Sequence, residues 1–264
     1  MSELAVRVTG IGVYGPGLTS WEQAGTLLRG GQAPAATEAP KPAPPLLPAA
    51  ERRRAPDTVL YAAQAAAEAC AMAATDPALL PCVFSSTQGD IAITDYMCTT
   101  LASTPRELSP TKFHNSVHNA AVGYWSIATG CRAPSTALSA WIDSVGGGLF
   151  EAAVQAVDGD APVLFVAYDA AAAGPLRSVV PFDCGFAVAL VLAPASSGSG
   201  AQLRLRRAQS ADAPTPAADW MQALSVRNAA AAGLPLLQAL AGAGPRDLHL
   251  RAGGRFALHV QVMP

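Results

Sequence analysis

Short apolar runs alternate with longer alanine-rich segments over the first 195 residues. The short runs carry β-branched and aromatic side chains, which favour buried strands, and the longer segments carry residues that favour helices. The predicted strands are residues 5–9, 82–85, 136–141, 162–168 and 186–192. The predicted helices are residues 21–28, 57–74, 90–103, 120–129 and 144–157. This alternation predicts an α/β protein with a mainly parallel or mixed sheet.

The composition argues against several functional classes. With 264 residues, 51% of them hydrophobic and 14% charged, the chain has enough apolar material to fold around a core. A net charge of −2 gives no reason to expect a nucleic-acid partner. No apolar run is long enough to span a membrane, and Glu3 and Arg7 interrupt the place of a signal peptide. Five scattered cysteines without a Cys-x-x-Cys pair predict free thiols in a reducing compartment, and hence a cytoplasmic protein.

The rest of the chain consists of an early loop and a C-terminal segment. Residues 33–56 are rich in proline and alanine and end in three arginines, which predicts a solvated surface loop. Thr19 or Ser20 is expected to cap the first helix, and Asp57 the helix after the loop. Three elements are predicted further on: a strand at 203–206, a helix near 228–241, and a hairpin of residues 248–251 and 256–262.

Gly10, Gly12 and Gly15 follow the first strand with the spacing of a dinucleotide-binding loop. Such a fold also needs a second strand about 20 residues further on, ending in an acidic ribose ligand. Residues 30–34 are Gly-Gly-Gln-Ala-Pro, so the pattern lacks this strand. A dinucleotide-binding module stays an alternative, and no cofactor is predicted.

Serines and histidines raise two further alternatives. Ser139 and Ser144 lie near a strand-to-helix junction, but neither has the flanking glycines of a hydrolase nucleophile turn. His114 and His118 have helical spacing, but no glutamate stands between them as in zinc-binding helices. No metal site is therefore predicted, while a standalone acyltransferase or hydrolase with a serine nucleophile stays an alternative.

Several segments resemble the β-ketoacyl synthases. Residues 6–13, Val-Arg-Val-Thr-Gly-Ile-Gly-Val, are similar to the family's opening strand, which runs into Thr-Gly-hydrophobic-Gly. Residues 119–135 resemble the segment before its nucleophile, and the strands at 163–167 and 186–192 follow in the family's order. The resemblance covers about the first 195 residues. It implies a thiolase-like α/β fold, essentially the N-terminal half of a ketosynthase: a mixed five-stranded sheet with helices on both faces, plus a shortened C-terminal segment.

The chain departs from the family in two respects. The family's attacking cysteine lies on a sharp turn at a helix start, where the helix dipole lowers the pKa of the thiol. The ungapped comparison places Ile142 there, and a hydrocarbon side chain cannot attack a thioester. Active members also use two histidines from a complete C-terminal half. Here residues 251–254 faintly resemble the family's Gly-Phe-Gly-Gly, but the flanking His249 and His259 match neither histidine. The resemblance implies no catalytic residue in this chain.

Silent members of the family, the chain-length factors, pair with an active ketosynthase. The resemblance therefore implies a non-catalytic subunit that shapes its partner's acyl tunnel, as in clusters for aryl polyene or xanthomonadin-type pigments. The implied partners are an active ketosynthase or a second copy of this chain, with an acyl carrier protein as a further contact. Residues 135–140 would form the edge strand that pairs across a two-fold axis, and residues 113–119 would lie beside the tunnel.

Eight residues are candidates for this tunnel or interface, and for each of them simple packing is an alternative role. They are Phe113, His114, His118, Asn119, Tyr124, Trp125, Ser139 and Ile142. The missing C-terminal half is expected to leave an apolar face exposed, unless the last residues or a partner cover it. The expected organisation is one thiolase-like domain over residues 1–264, with a ketosynthase-like region at 1–195 and a truncated remnant at 196–264.

Overall fold

The computed structural model describes residues 3–209, 218–243 and 246–263, and strands alternate with helices along them. The strands are β1 (Leu4–Tyr14), β2 (Cys82–Ser85), β3 (Ser135–Leu138), β4 (Val163–Asp169), β5 (Phe186–Pro194), β6 (Ala201–Gln209), β7 (Asp247–Gly253) and β8 (Phe256–Met263). The helices are α1 (Trp21–Gly30), α2 (Ala49–Arg54), α3 (Asp57–Met72), α4 (Ile91–Ser103), α5 (Pro110–His114), α6 (Ala120–Thr129), α7 (Ser144–Asp158), α8 (Asp219–Arg227) and α9 (Leu234–Leu240).

The strands form one mixed sheet in the order β3-β2-β4-β5-β1-β6-β8-β7. β2 runs parallel to β3 and β4, and the other neighbouring strands are antiparallel. The predicted α/β class is confirmed. The five strands of the ketosynthase-like region lie side by side, but the sheet has eight strands rather than five, because β6, β8 and β7 continue it from β1. The sequence predicted these C-terminal strands but did not predict that they would join the same sheet.

Gly10 and Gly12 lie inside β1 and bring α3 close to the sheet. A Cβ atom at Gly10 would lie 2.0 Å from the carbonyl oxygen of Ala69, and one at Gly12 would lie 2.0 Å from that of Ala65. Only residues without a side chain allow the helix this approach. The glycines therefore serve packing, and the phosphate-binding loop of the dinucleotide alternative is not formed by them.

Helices cover both faces of the sheet, as the resemblance implied. The buried alanines of α3 pack on one face against Phe84, Leu164 and Val191. On the other face, Leu149 of α7 shares a cluster with Leu237 of α9 and with residues of the last two strands. The apolar face that truncation was expected to expose is thus covered by the C-terminal segment of the chain itself.

Helix caps follow the prediction at one position and depart from it at another. The Ser20 side chain accepts a hydrogen bond from the N–H of Gln23 and so caps α1. Asp57 does not cap α3 as predicted, because the helix already begins at Asp57, directly after Pro56. Pro56 therefore occupies the N-cap position, and its hydrocarbon ring has no oxygen that could accept a hydrogen bond from the first turn.

Residues 33–56 are not a solvated loop throughout. Their last part forms α2, and Leu47 just before it is fully buried. The Arg52 guanidinium donates to the carbonyls of Pro44 and Leu47, at 3.3 and 2.8 Å. The prediction was wrong for this part of the segment. Burial of Leu47 and the two hydrogen bonds of Arg52 order these residues, whereas their proline-rich composition favours a solvated loop.

Two predicted elements are shorter than expected. The strand predicted at residues 136–141 ends at Leu138, because the chain turns and Trp141 adopts a φ of 57°. The helix predicted at residues 228–241 is a 3₁₀ turn over Ala229–Gly233 followed by α9. Proline in the first turn of α9 cannot donate to an earlier carbonyl, so the helix restarts there.

Candidate functional site

The turn of residues 139–143 between β3 and α7, here called the elbow, has the shape expected at the nucleophile position. Trp141 has a φ of 57°, a left-handed conformation that residues with side chains rarely adopt. The N–H of Asp143 donates to the carbonyl of Ala140 at 3.1 Å, which closes the turn. α7 begins at Ser144, so the elbow leads directly into a helix N-terminus. Backbone strain of this kind is typical of functional sites.

The side chain at the predicted nucleophile position is Ile142, and it is 45% exposed. It offers no lone pair and no acidic proton. Its neighbour Trp141 is also exposed, and Asp143 is nearly buried and forms an ion pair with Arg251 at 3.0 Å. A sharp turn and a helix start are therefore present at the predicted nucleophile position, and the side chain there is a hydrocarbon.

Ser139 and Ser144 are held by hydrogen bonds that shape the elbow. The Ser139 hydroxyl donates to the carbonyl of Thr87 at 2.8 Å and accepts from the N–H of Trp141 at 3.2 Å. The Ser144 hydroxyl donates to the carbonyl of Trp141 at 2.6 Å. Each hydroxyl thus gives its proton to a backbone carbonyl rather than to a general base, which does not favour the serine-nucleophile alternative.

The C-terminal hairpin packs against the elbow. A Cβ atom at Gly146, in the first turn of α7, would lie 2.1 Å from the carbonyl oxygen of Arg251, and one at Gly253 would lie 3.5 Å from the Cβ of Ala140. The residues that resemble the family's Gly-Phe-Gly-Gly therefore lie beside the predicted nucleophile position. Burial raises the pKa of Asp143, and the Arg251 guanidinium opposes this shift.

A cleft of about 890 Å³, here called the α5–α6 cleft, lies between α2, α5 and α6. Four predicted candidates line it together: Phe113, His114, Asn119 and Tyr124. The rings of His114 and Tyr124 meet edge to face, with centroids 6.5 Å apart. Phe113 is 59% exposed and Ile127, which also lines the cleft, is 80% exposed. Large exposed apolar side chains around a cleft are typical of a surface that another molecule covers.

His118 and Trp125 are placed differently from these four residues. His118 lies beyond the end of α5, so it does not share a helix with His114, and its Nε2 lies 3.1 Å from the carbonyl oxygen of Ser86. Trp125 is fully buried in the core cluster that α3 forms, and it does not line the cleft. Within residues 3–209, 218–243 and 246–263, no three His, Cys, Asp or Glu side chains are grouped to hold a metal ion.

A second cleft of about 620 Å³, here called the elbow cleft, opens beside Ile142. Val145 and Phe182 line it, and Val226 of α8 and His249 of β7 contribute from the C-terminal segment. The rings of His249 and His259 are cross-strand neighbours with centroids 5.0 Å apart, and His259 Nε2 lies 3.1 Å from a carboxylate oxygen of Asp247. Sequence reasoning did not find this cleft, because it joins segments that are up to 107 residues apart, from Ile142 to His249.

Asp169 at the end of β4 is a buried carboxylate that the sequence analysis missed. It accepts hydrogen bonds from the Ser86 hydroxyl at 2.7 Å, from the Thr87 hydroxyl at 2.8 Å and from the Thr87 N–H at 2.9 Å. Burial raises its pKa to about 6, against the lowering effect of these three bonds. The only sequence signal was an acidic residue at the end of an apolar strand.

β3 is the end strand of the sheet and offers a free backbone edge. The carbonyl of Pro134 accepts a hydrogen bond from the N–H of Cys82 in β2 at 3.0 Å, and that of Leu138 accepts one from the N–H of Ser86 just after β2 at 3.2 Å. Backbone groups alternate in direction along a strand, so those of Ser135 and Ala137 face away from β2. No other strand of the described chain pairs with that side. The strand that was predicted to lie at the edge of the sheet, β3, is therefore found there.

Two general properties were also predicted from the sequence. All five cysteines are free thiols. No helix in the described part of the chain is long and apolar enough to cross a membrane.

Solved structures of ketosynthase assemblies share this fold. One chain of "Ketosynthase (ApeO) in Complex with its Chain Length Factor (ApeC) from Xenorhabdus doucetiae" is similar with a TM-score of 0.75 and 24% identity, over 98% of this chain and 99% of that chain. A chain of "The ishigamide ketosynthase/chain length factor" has a TM-score of 0.72 and 12% identity, over 99% and 100%. A β-ketoacyl synthase from Burkholderia phymatum STM815 has a TM-score of 0.59 and 15% identity, over 91% of this chain and 71% of that chain.

Sequence comparison identifies the family. No curated protein matches the chain. The family model described as "Beta-ketoacyl synthase, N-terminal domain" matches residues 21–250, which include the elbow, the α5–α6 cleft and most of the C-terminal segment. Together with the elbow at a helix start and the five strands of the ketosynthase-like region, this match means that the chain belongs to the β-ketoacyl synthase N-terminal domain family.

Proposed function

We propose that this chain is a chain-length factor, a non-catalytic subunit that pairs with an active ketosynthase and shapes the tunnel for the growing acyl chain. The observation that carries the proposal is Ile142 at the elbow. A strained turn and a helix N-terminus are kept, but no group there can form an acyl thioester. A subunit that supports a catalytic partner needs the shape of this turn but not a reactive atom on it.

The extent of the structural matches supports this class. The two complexes named for a ketosynthase and a chain length factor match over at least 98% of both chains, so the matched chains are about as long as this one. The β-ketoacyl synthase from Burkholderia phymatum STM815 is covered over only 71% of its chain, so it is longer. The match over nearly the whole of both chains in these two complexes is the structural support for the proposed class.

The free edge of β3 and the exposed side chains of the α5–α6 cleft are the proposed contacts with the ketosynthase. Antiparallel pairing of the Ser135 and Ala137 backbone groups with the partner's edge strand would join two sheets into one. Phe113, Val117 and Ile127 would then be covered by the partner, and the cleft would lie next to its acyl tunnel. Covering large apolar side chains contributes roughly 25 cal/mol per Å² of buried area, which stabilises the pair.

The product class, the place of action and the carrier contact are parts of the same proposal. An aryl polyene or related pigment is the proposed product, because the sequence resembles the half-length homologues of those clusters. The cytoplasm is the proposed location, where free cysteines stay reduced. An acyl carrier protein is expected to reach the pair chiefly through the ketosynthase, since the Ile142 side chain at the elbow cannot receive the acyl group.

Co-expression with an active β-ketoacyl synthase that retains its catalytic cysteine and two histidines tests the pairing, with native mass spectrometry as the measurement. The Ala137→Pro variant removes an outward N–H that β3 does not use within this chain, so folding should persist. We expect the heterodimer to dissociate about tenfold more readily, as for the loss of one or two backbone hydrogen bonds. Ala137→Ser keeps the N–H and is the matched control. Equal affinity for both variants would exclude pairing through this edge.

Acyl transfer tests the silent role directly. The reconstituted pair is incubated with octanoyl thioester, and each subunit is mapped by peptide mass spectrometry. The ketosynthase cysteine should acquire the octanoyl group, while the peptide with Ser139, Ile142 and Ser144 should stay unmodified. An adduct on either serine would support the standalone-enzyme alternative instead. An Ile142→Cys variant shows whether the elbow still accepts an acyl group once sulfur is restored.

A further inference from the structure

The Asp169 carboxylate is enclosed by protein, at 3% exposure, without a cation beside it. Its hydrogen-bond donors are the Ser86 hydroxyl and the hydroxyl and N–H of Thr87. None of the ion pairs among the described residues includes it. Enclosing a carboxylate in this way opposes folding, and an apolar residue would avoid the penalty. The carboxylate therefore has to hold something that an apolar side chain could not hold.

Asp169 binds the side chains of Ser86 and Thr87 and the N–H of Thr87. The backbone carbonyls of the same two residues contact two other segments. The carbonyl oxygen of Ser86 lies 3.1 Å from Nε2 of His118. The carbonyl of Thr87 accepts the Ser139 hydroxyl at 2.8 Å. Asp169 thus fixes two adjacent residues. The carbonyl of the first contacts His118, and the carbonyl of the second contacts the elbow at Ser139.

These two segments are the ones that carry the candidate site. His118 lies between Val117 and Asn119, which both line the α5–α6 cleft. Ser139 is the first residue of the elbow and also accepts the N–H of Trp141. A shift of residues 86–87 would therefore move the wall of the cleft and the elbow together.

Asp169 also holds the C-terminal segment through its backbone. Its carbonyl accepts a hydrogen bond from Nδ2 of Asn228 at 3.0 Å, and Asn228 is fully buried. Asn228 in turn caps the 3₁₀ turn Ala229–Gly233, which contributes to the elbow cleft. The last residue of β4 thus contacts both the segment directly after β2 and the C-terminal remnant.

We infer that Asp169 is a positioning residue that fixes the cleft wall at His118 and the elbow at Ser139 relative to each other, through Ser86 and Thr87. Its effect on product length rests on the proposed function, because the cleft shapes a tunnel only if the chain pairs with a ketosynthase. Its effect on the order of the two segments is a property of the isolated chain.

Hydrogen exchange of the isolated full chain, followed by mass spectrometry, tests this inference. In Asp169→Ala, peptides covering residues 113–119 and 139–143 should exchange about tenfold faster, because both lose the support of residues 86–87. Asp169→Asn can still accept from Ser86 and from the Thr87 N–H, so it should restore most of the protection. If Asp169→Ala does not fold, Ser86→Ala removes one bond to the carboxylate and should loosen residues 113–119 by a smaller factor.

Glu68→Ala is the matched control, since Glu68 is a half-buried carboxylate that likewise accepts backbone N–H groups, those of Val13 and Trp21. It should loosen residues 13–21 and leave residues 113–119 and 139–143 unchanged. Equal loosening of these segments in the control, or none in Asp169→Ala and Ser86→Ala, would overturn the inference. A chain that shows the expected exchange but binds no ketosynthase would refute the proposed function alone.

Discussion

Nε of Arg251 lies 3.0 Å from Oδ1 of Asp143, and this ion pair joins the last hairpin to the elbow. The Asp143 side chain is only 8% exposed, whereas Arg251 is half exposed. The pair therefore connects the two parts of the chain that the sequence treats separately, the ketosynthase-like region and the C-terminal remnant. The ion pair also engages the carboxylate that directly follows Ile142 in the chain.

Arg251→Ala should destabilise the protein by about 1–3 kcal/mol, because it leaves the nearly buried carboxylate of Asp143 without its cation. Urea unfolding followed by circular dichroism measures the loss. Arg206→Ala is a suitable control, since Arg206 pairs with Glu3 at 3.4 Å in a much more exposed position. The control should cost less than about 1 kcal/mol. Equal losses would mean that the elbow pair has no special role in stability.

Gly146→Ala and Gly123→Ala should have opposite effects, although both glycines lie inside helices. A Cβ atom at Gly146 would lie 2.1 Å from the carbonyl oxygen of Arg251, so the hairpin would have to move, at a cost of about 1–3 kcal/mol or more. A Cβ atom at Gly123 would meet nothing within 4 Å. Alanine there should stabilise the protein by about 0.5–1 kcal/mol through helix propensity. Thermal unfolding of both variants checks the contrast, and a stable Gly146→Ala would contradict the packing of β7 on α7.

The stability contribution of Asp169 should fall as the pH rises. Burial raises its pKa from 3.8 to about 6, so the folded state holds this proton more tightly than the unfolded state. The contribution is complete below pH 3.8, is lost between pH 3.8 and 6, and is constant above, with a total change on the order of 3 kcal/mol. Asp169→Asn does not titrate. Its unfolding free energy minus that of the wild type should therefore increase from pH 4 to pH 6.5 in urea titrations, and a constant difference would contradict the raised pKa.

Phe113 should influence product length in the reconstituted pair, because its exposed ring lines the α5–α6 cleft. Phe113→Ala should give longer products, and Phe113→Trp shorter ones, if the cleft limits the partner's tunnel. Val157→Ala on α7, which does not line that cleft, is the control. Product chains are measured by liquid chromatography with mass spectrometry. Unchanged products from both Phe113 variants would remove this residue as a determinant of length.

Local sequence patterns were sufficient for most elements of the fold. The apolar run that forms β4 and the alanine-rich segment that forms α3 lie close to their predicted positions, because strand and helix periodicity is a local property. Ile142 was placed at the elbow by an ungapped comparison, and the turn with Trp141 in the left-handed region is found there. The roles of the eight candidate residues in a tunnel or interface stay predictions, as does the single-domain organisation.

The sequence by itself determined the α/β class, the family and the absence of sulfur at the elbow, because each depends on residue types in a short, ordered stretch. Only the tertiary structure decided that β6, β8 and β7 extend the sheet and that Arg251 pairs with Asp143. It also decided that Asp169 is connected to the α5–α6 cleft and to the elbow through Ser86 and Thr87. Such contacts join residues that are tens of positions apart. They depend on how the packed layers place strand ends and loops next to one another, and no local pattern encodes that distance.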